Sequence, residues 1–313
     1  MENIRSHTVT VIKHTGSQYL VSNLPDWNPV TCVLRGKLRL KGGKTTNPVA
    51  VGDRVAYEKG SASNGVITEV FPRKNYIIRK STNLSRQAHI IASNLDQVFL
   101  IVSLVNPQTK LEFADRFLVT CEAYKVPVTI VLNKIDLITE ESEILKSHFY
   151  NIYNKSAGYS IIETSGLTGY NIPLLRGACK GKLSLFSGIS GVGKSSLINA
   201  LDPALSLKTA SISEYHKQGR HTTTFYEIHP LSSGGFIIDT PGIKGFGLLE
   251  MEPEELSHYF PEMLKVLDNC KFAPCTHTHE PECAVKDGLE NEIITEERYL
   301  SYLSMLEEEE KYR

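Results

Sequence analysis

Gly188-Ile189-Ser190-Gly191-Val192-Gly193-Lys194-Ser195 follows an apolar run over 183–186 and opens a stretch of helical spacing over 194–201. That context of strand, glycine-rich loop and helix marks GxxxxGK[ST] as a phosphate-binding loop. The glycines let backbone N–H groups close around phosphate oxygens, and the helix N-terminus adds a favourable dipole. Lys194 is expected to meet the β and γ phosphates and the Ser195 hydroxyl to ligate Mg²⁺, with Ser196 next to them in the same cradle.

Working outward, apolar runs over 97–105, 128–132, 160–163, 183–186 and 236–238 take turns with amphipathic stretches over 111–124, 140–153, 172–179 and 194–201. Such alternation predicts a parallel α/β sheet, with ligands at the carboxyl ends of its strands. Asp239-Thr240-Pro241-Gly242 ends one strand, so Asp239 is placed to hold Mg²⁺ through water and the Gly242 N–H to meet a γ-phosphate. Between the two phosphate motifs, Gly219-Arg220-His221-Thr222-Thr223-Thr224 occupies the place of a switch loop, and either Thr222 or Thr223 completes the Mg²⁺ shell.

Asn133-Lys134-Ile135-Asp136 ends the 128–132 strand. Its Asp136 carboxylate accepts from both the ring N–H and the exocyclic amine of guanine, a donor pair that adenine lacks. A desolvated carboxylate without donors is costly, so the pocket should reject ATP. Ser165, in Thr164-Ser165-Gly166 at the end of the next strand, should add contacts to the base. The guanine motif precedes the phosphate loop, the reverse of the usual order. This inversion implies a circularly permuted GTPase domain.

The flanks differ from this centre. Residues 1–70 carry short strand patterns over 7–13, 17–22, 30–34, 54–58 and 66–71 with glycine-rich turns between them, which fits a small OB-like β-barrel, a frequent oligonucleotide platform. The stretch 72–94 reads as a link. Past 252 the pattern turns helical, with helices expected over 253–267 and 292–308. Between those two, Cys270, Cys275 and Cys283 crowd together with His277 and His279, and C-x4-C-x-H-x5-C supplies enough soft ligands for a closed, structural zinc site. Cys32, Cys121 and Cys179 stand singly in apolar patterns and are expected in the core. The resulting division is 1–71, 72–247 and 248–313.

Net charge is −1, but residues 1–86 hold 14 Lys/Arg against 5 Asp/Glu, and 246–313 hold 6 against 17. A basic front end suits a polyanion. No run approaches the roughly 18 apolar residues of a membrane span, and 1–23 lacks the apolar block of a secretory signal, so a cytosolic location is expected.

The order NKxD, TS(G/A), GxxxxGKS, GRHTTT, DTPG, with a barrel before it and a Cys/His cluster after it, resembles the RsgA (YjeQ) family of ribosome-assembly GTPases over nearly the whole chain. Gly166 departs from the more usual alanine. The resemblance implies a factor that binds the small ribosomal subunit and its rRNA late in maturation; nothing in the sequence suggests an obligate oligomer, and a monomer is expected. The resemblance further implies GTP hydrolysis stimulated by the subunit and coupled to release of assembly factors, and it selects His277 over His279 as the fourth zinc ligand. An ordinary small GTPase carries a glutamine shortly after DxxG to orient water, whereas Ile243 follows Gly242 here. By resemblance His221 takes that role. Two other readings keep the same nucleotide site, a signalling or metabolic GTPase whose barrel binds proteins and a zinc-dependent RNA-binding module that rarely hydrolyses its nucleotide. Stimulation of turnover by purified small subunits separates the three.

Overall fold

The computed structural model describes residues 7–39, 47–59, 64–80, 88–206, 226–240 and 253–311. Strands β1 (His7–His14), β2 (Tyr19–Ser22), β3 (Val30–Leu34), β4 (Arg54–Lys59) and β5 (Gly65–Val70) form a closed barrel in the order β1-β2-β3-β5-β4, with a short helix α1 (Gly36–Arg39) after β3. Closure leaves no free sheet edge. Val11, Val21, Cys32, Val55 and Ile67 fill its interior, because alternate side chains of each strand point inward. This is the OB-like barrel expected from the sequence.

The stretch read as a link is instead a two-stranded sheet of β6 (Tyr76–Lys80) and β7 (Ala88–Ser93). It is fastened to the barrel by Asp53, fully buried, whose carboxylate accepts from Arg73 at 2.6 and 2.7 Å, from the Ser93 hydroxyl at 2.6 Å and from the Ala50 N–H at 2.8 Å.

The central sheet has the order β10-β9-β8-β11-β13-β12, where β8 is Gln97–Val102, β9 Val128–Leu132, β10 Ile161–Glu163, β11 Leu183–Ser187, β12 Ile228–Pro230 and β13 Phe236–Asp239. All pairs are parallel except β12 with β13. Helices α2 (Leu111–Ala123), α3 (Glu140–Tyr150), α4 (Ile172–Cys179) and α5 (Lys194–Leu201) cover it. Every residue of β8 is buried, which follows from cover on both faces. Val98, Leu100 and Val102 pack towards Phe117 and Leu118 of α2, while Phe99 and Ile101 pack towards Leu175 of α4 and Ile198 of α5. Each such side chain contributes about 1.5–3 kcal/mol on burial. The chain runs outward from β8 to β10 and then crosses back to β11 on the other side of β8. That reversal creates a switch point between β8 and β11, where open sheets bind ligands.

Three boundaries differ from expectation for local reasons. Helix α3 stops at Tyr150 and widens into a π-turn, Asn151–Ser156, whose last residue bonds to the carboxyl-terminal region: the Ser156 hydroxyl donates to Ile293 O at 2.7 Å, and Lys265 Nζ donates to Ser156 O at 3.2 Å. The helix expected over 253–267 is broken into α6 (Pro253–Leu256), a 3-10 turn and α7 (Pro261–Leu264), because Pro261 has no N–H to continue the ladder and instead starts a new helix at its first position. Beyond the cysteines, α8 (Ala284–Glu290) was not anticipated, and α9 (Glu296–Lys311) starts four residues later than expected. These helices share a core of Phe260, Met263, Cys283, Val285, Ile294 and Tyr302 with Val119 of α2. Cys32, Cys121 and Cys179 are all buried, as expected. No helix of the described residues is long and apolar enough to cross a membrane.

Candidate functional site

At the carboxyl edge of the central sheet, β11 leads into the phosphate loop, β9 into Asn133-Lys134-Ile135-Asp136 and β10 into Thr164-Ser165-Gly166, while Asp239 ends β13. Two glycines set the phosphate loop's path. A Cβ on Gly188 would lie 2.3 Å from Ile101 O, and on Gly193, at φ +91°, 2.6 Å from Asn133 Nδ2, so neither position admits a side chain. Val192 is buried beneath the loop, whereas Ser190 and Ser196 are exposed and Ile189, Gly191 and Ser195 are half-buried. Lys194 folds back over its own loop, donating to Gly188 O at 2.8 Å and Ile189 O at 3.2 Å. Burial lowers its pKa, and the charge of Asp239 opposes that shift.

Asp239 is the complementary group. Among the described residues, its Oδ1 is buried without a hydrogen-bond partner. Burial raises its pKa above the usual carboxylate value, while Lys194 and then His229 pull it back. An orphaned carboxylate oxygen in a buried cleft suits a cation, and the hard oxygens of Asp239 and Ser195 are of the type that Mg²⁺ takes.

The base motif is tied directly to this cradle. Asn133, nearly fully buried, donates to Val192 O at 2.9 Å and accepts from the Gly166 N–H at 3.1 Å and the Thr164 hydroxyl at 3.2 Å, so it braces one loop against the other. Lys134, in the left-handed region at φ +65°, donates to Gly191 O at 2.6 Å and to Asn106 O. Burial lowers its pKa against the charge of Asp136. Ile135 packs on the core. Asp136 faces solvent and accepts from the buried Ser165 hydroxyl at 2.5 Å, while Ser165 Oγ accepts from the Thr168 N–H at 3.0 Å. The carboxylate is therefore held in place by the neighbouring loop. A Cβ on Gly166 would lie 3.2 and 3.3 Å from Leu197 backbone atoms, so the glycine lets this loop rest on the first turn of α5. Segments that are scrambled in the chain thus share one cleft. His221, Thr222, Thr223 and Gly242 lie outside the described residues.

The cysteine cluster also closes up. The ligand atoms of Cys270, Cys275, His277 and Cys283 all lie within 4.8 Å of one another. His277 Nδ1 is 3.3 Å from Cys283 Sγ and 3.7 Å from Cys270 Sγ, and Cys275 Sγ is 3.9 Å from Cys283 Sγ. His279 points elsewhere, to the Thr278 hydroxyl. The loop is pinned by Tyr299 donating to His277 O at 2.6 Å and Tyr302 to Thr276 O at 2.7 Å. Glu280, which accepts from the Thr276 and Thr278 N–H groups, has its pKa pulled down to about 2 despite burial working the other way. Three sulfurs and one imidazole nitrogen at this spacing fit a tetrahedral zinc ion.

Residues 70–249 match the RsgA GTPase family model. The chain belongs to the RsgA GTPase family. Membership makes it a GTP hydrolase. A small ribosomal subunit biogenesis GTPase RsgA of Bacteroides fragilis is 52% identical over 305 residues, covering 97% of this chain and 98% of that one. Its counterpart in Flavobacterium psychrophilum is 50% identical over 313 residues, covering 98% and 94%. Among solved structures, YjeQ from Thermotoga maritima matches with a TM-score of 0.77 at 36% identity, covering 96% of this chain and 97% of that one. YloQ, described as a circularly permuted GTPase, matches at 0.73 and 28%, covering 100% and 98%. The RsgA resemblance and the permuted fold stand as expected from the motif order.

Two features were not anticipated, one at the nucleotide site and one away from it. The Asn106 carbonyl, which holds Lys134, sits in an Asn-Pro dipeptide that signals only a turn. Arg298, fully buried between Asp115 and Glu262, joins α9 to α2 and to α7, and nothing in its neighbourhood of the sequence marks it.

Proposed function

We propose that this chain binds the small ribosomal subunit during late maturation, hydrolyses GTP to GDP and phosphate when engaged there, and couples hydrolysis to release of assembly factors. The supporting observation is near-full-length identity of about half to proteins named for small-subunit biogenesis, together with a base motif and a phosphate loop braced into one cleft by Asn133. In this reading Asp136 selects guanine with Ser165 holding it, and residues 188–196 with Lys194 cradle the phosphates. Ser195, Asp239 and a threonine of 222–223 hold Mg²⁺, which neutralises charge on the transferring phosphoryl group. Gly242 meets the γ-phosphate, and His221 orients the attacking water. The protein works in the cytoplasm as a monomer, with the basic barrel towards rRNA.

Turnover of GTP is expected to rise strongly with purified small subunits and not with unrelated protein. His221→Ala should keep GTP binding and lose most of that stimulation, by the 10²–10⁴-fold typical of lost general-base or water-orienting groups, or about two orders at least. Equal stimulated turnover in the variant would remove His221 from the reaction, and absent stimulation in the parent would remove the subunit.

Zinc at Cys270, Cys275, His277 and Cys283 is proposed to be structural, since four protein ligands leave no open position. A chelator should therefore unfold the region around α8 and release zinc, read by a colorimetric dye and by proteolysis, while GDP affinity stays within about twofold because no cluster residue touches the nucleotide cleft. Loss of GDP binding in step with zinc would overturn this.

A further inference from the structure

A cleft of about 520 Å³ opens between the barrel and the central sheet, on the side away from the nucleotide. Leu183 and Phe236 line it and begin β11 and β13, whereas Ser187 and Asp239 end those strands at the phosphate cradle. Its volume lies in the range of about 300–1,000 Å³ common to small-ligand sites. The lining is uneven in a telling way. Arg54, Lys74 and Lys182 are exposed cations on the wall, against the single carboxylate of Asp96, which is already paired with Lys74 at 2.6 Å and accepts the Leu183 N–H at 2.8 Å. The apolar part includes Pro25 and the Phe236 ring, which is stacked on Trp27 with centroids 5.9 Å apart and planes 22° from parallel.

From this cleft we infer a second binding site, for an unpaired nucleotide of single-stranded RNA, with the base on the Pro25–Phe236 surface and the phosphate on Arg54, Lys74 and Lys182. Stacking on an aromatic face and charge-assisted contacts to phosphate are the two interactions that hold single-stranded nucleic acid without reading its sequence. The composition agrees, since residues 1–86 hold 14 Lys/Arg against 5 Asp/Glu, an excess that attracts polyanions. A wall with a free carboxylate excess or without a flat ring would fit an RNA nucleotide poorly. The site stands independently of guanine recognition and of which RNA supplies the nucleotide.

Trp27 provides the readout, being the one tryptophan of the chain. The full-length protein, saturated with GDP so that the guanine cleft is silent, is titrated with hexauridylate while its emission is followed. The expected result is a saturable change of emission, at least tenfold weaker for hexauridylate in Lys182→Glu combined with Arg54→Glu. Unaltered GDP affinity together with an unaltered far-UV circular dichroism spectrum shows that both the sheet and the barrel of that variant are folded. Several outcomes would overturn the inference: no saturable change up to about 1 mM hexauridylate, beyond the ~0.1 mM of weak electrostatic binding to a basic surface; equal affinity in the charge-reversed variant; or an acidic hexapeptide producing the same change.

Discussion

Arg298→Ala is expected to lower unfolding free energy by about 3–5 kcal/mol, the cost of removing one partner from a buried ion pair. The guanidinium is wholly inaccessible to solvent and donates to Asp115 at 2.7 Å and to Glu262 at 2.6 Å. Its face lies 4.6 Å from the centre of the Phe260 ring. Asp115 also accepts from Tyr153 at 2.8 Å and from the Ser301 hydroxyl. Truncation leaves two carboxylates, themselves fully buried, without a counter-charge. Burial already raises the Asp115 pKa, and without Arg298 nothing of that charge opposes it. The contribution of Asp115 is present below its unfolded pKa and is lost as pH rises through the folded value. The deficit of the variant should accordingly be larger at pH 8 than at pH 5. Urea unfolding of zinc-loaded protein at the two pH values measures both quantities. A deficit under about 1 kcal/mol, or one that shrinks towards pH 8, would mean that water reaches these carboxylates.

The same network bears on how the switch could act at a distance. In a permuted GTPase the chain leaves the sheet after Asp239 and continues to the zinc-bearing region, so a nucleotide-driven change at the end of β13 is expected to act on that region. Arg298 and Asp115 join that region to α2 of the GTPase fold, with Val119 in the shared core. A swing of the carboxyl-terminal helices across α2 would break a buried charge network, whereas movement together with α2 leaves it intact. The second carries no such penalty, and relative motion is therefore expected against the barrel, whose side-chain links to the central sheet include the half-exposed pair Lys13–Glu227 at 2.6 Å and the Trp27–Phe236 stack. Exposed pairs contribute about 0–1 kcal/mol each.

Legibility followed the range of the interactions. The phosphate loop and the guanine motif are local, each needing a strand end and a few backbone N–H or carboxylate groups, and their inverted order was enough to imply the permuted sheet. Strand β8 could be read because burial on both faces produces an unbroken apolar run. The β6–β7 sheet could not, since its two short apolar runs flank a polar stretch and gain their register from Asp53 and Asn47, which bonds to both backbone groups of Ile90. The break at Pro261 was readable in principle. The helical period on either side hid it. Asp115, Glu262 and Arg298 lie far apart in the chain, and only tertiary packing brings them into one charge cluster.

Asp136→Asn is expected to weaken GTP by about 10²–10⁴-fold and to reverse the preference towards XTP. The wild-type carboxylate is acceptor-only, and guanine offers it two donors, N1–H and the exocyclic amine. Each charge-assisted bond is worth roughly 1.5–3 kcal/mol, which gives ~3–6 kcal/mol for the pair. An asparagine presents one carbonyl and one amide N–H₂, so its amide meets the guanine amine donor to donor. Xanthine carries a carbonyl where guanine carries that amine, and the asparagine side chain can then pair with both edges. The rest of the pocket should stay in place. Asn133 continues to brace Val192 O and the Gly166 N–H, and Ser165 keeps its contact with Thr168. The new carboxamide oxygen still accepts from the Ser165 hydroxyl. Competition of GTP, XTP and ATP against a fluorescent guanine nucleotide reads the switch directly. If the variant held GTP within about threefold of the parent and ignored XTP, Asp136 would not be in contact with the base, and the shared cleft would have to read guanine through another group.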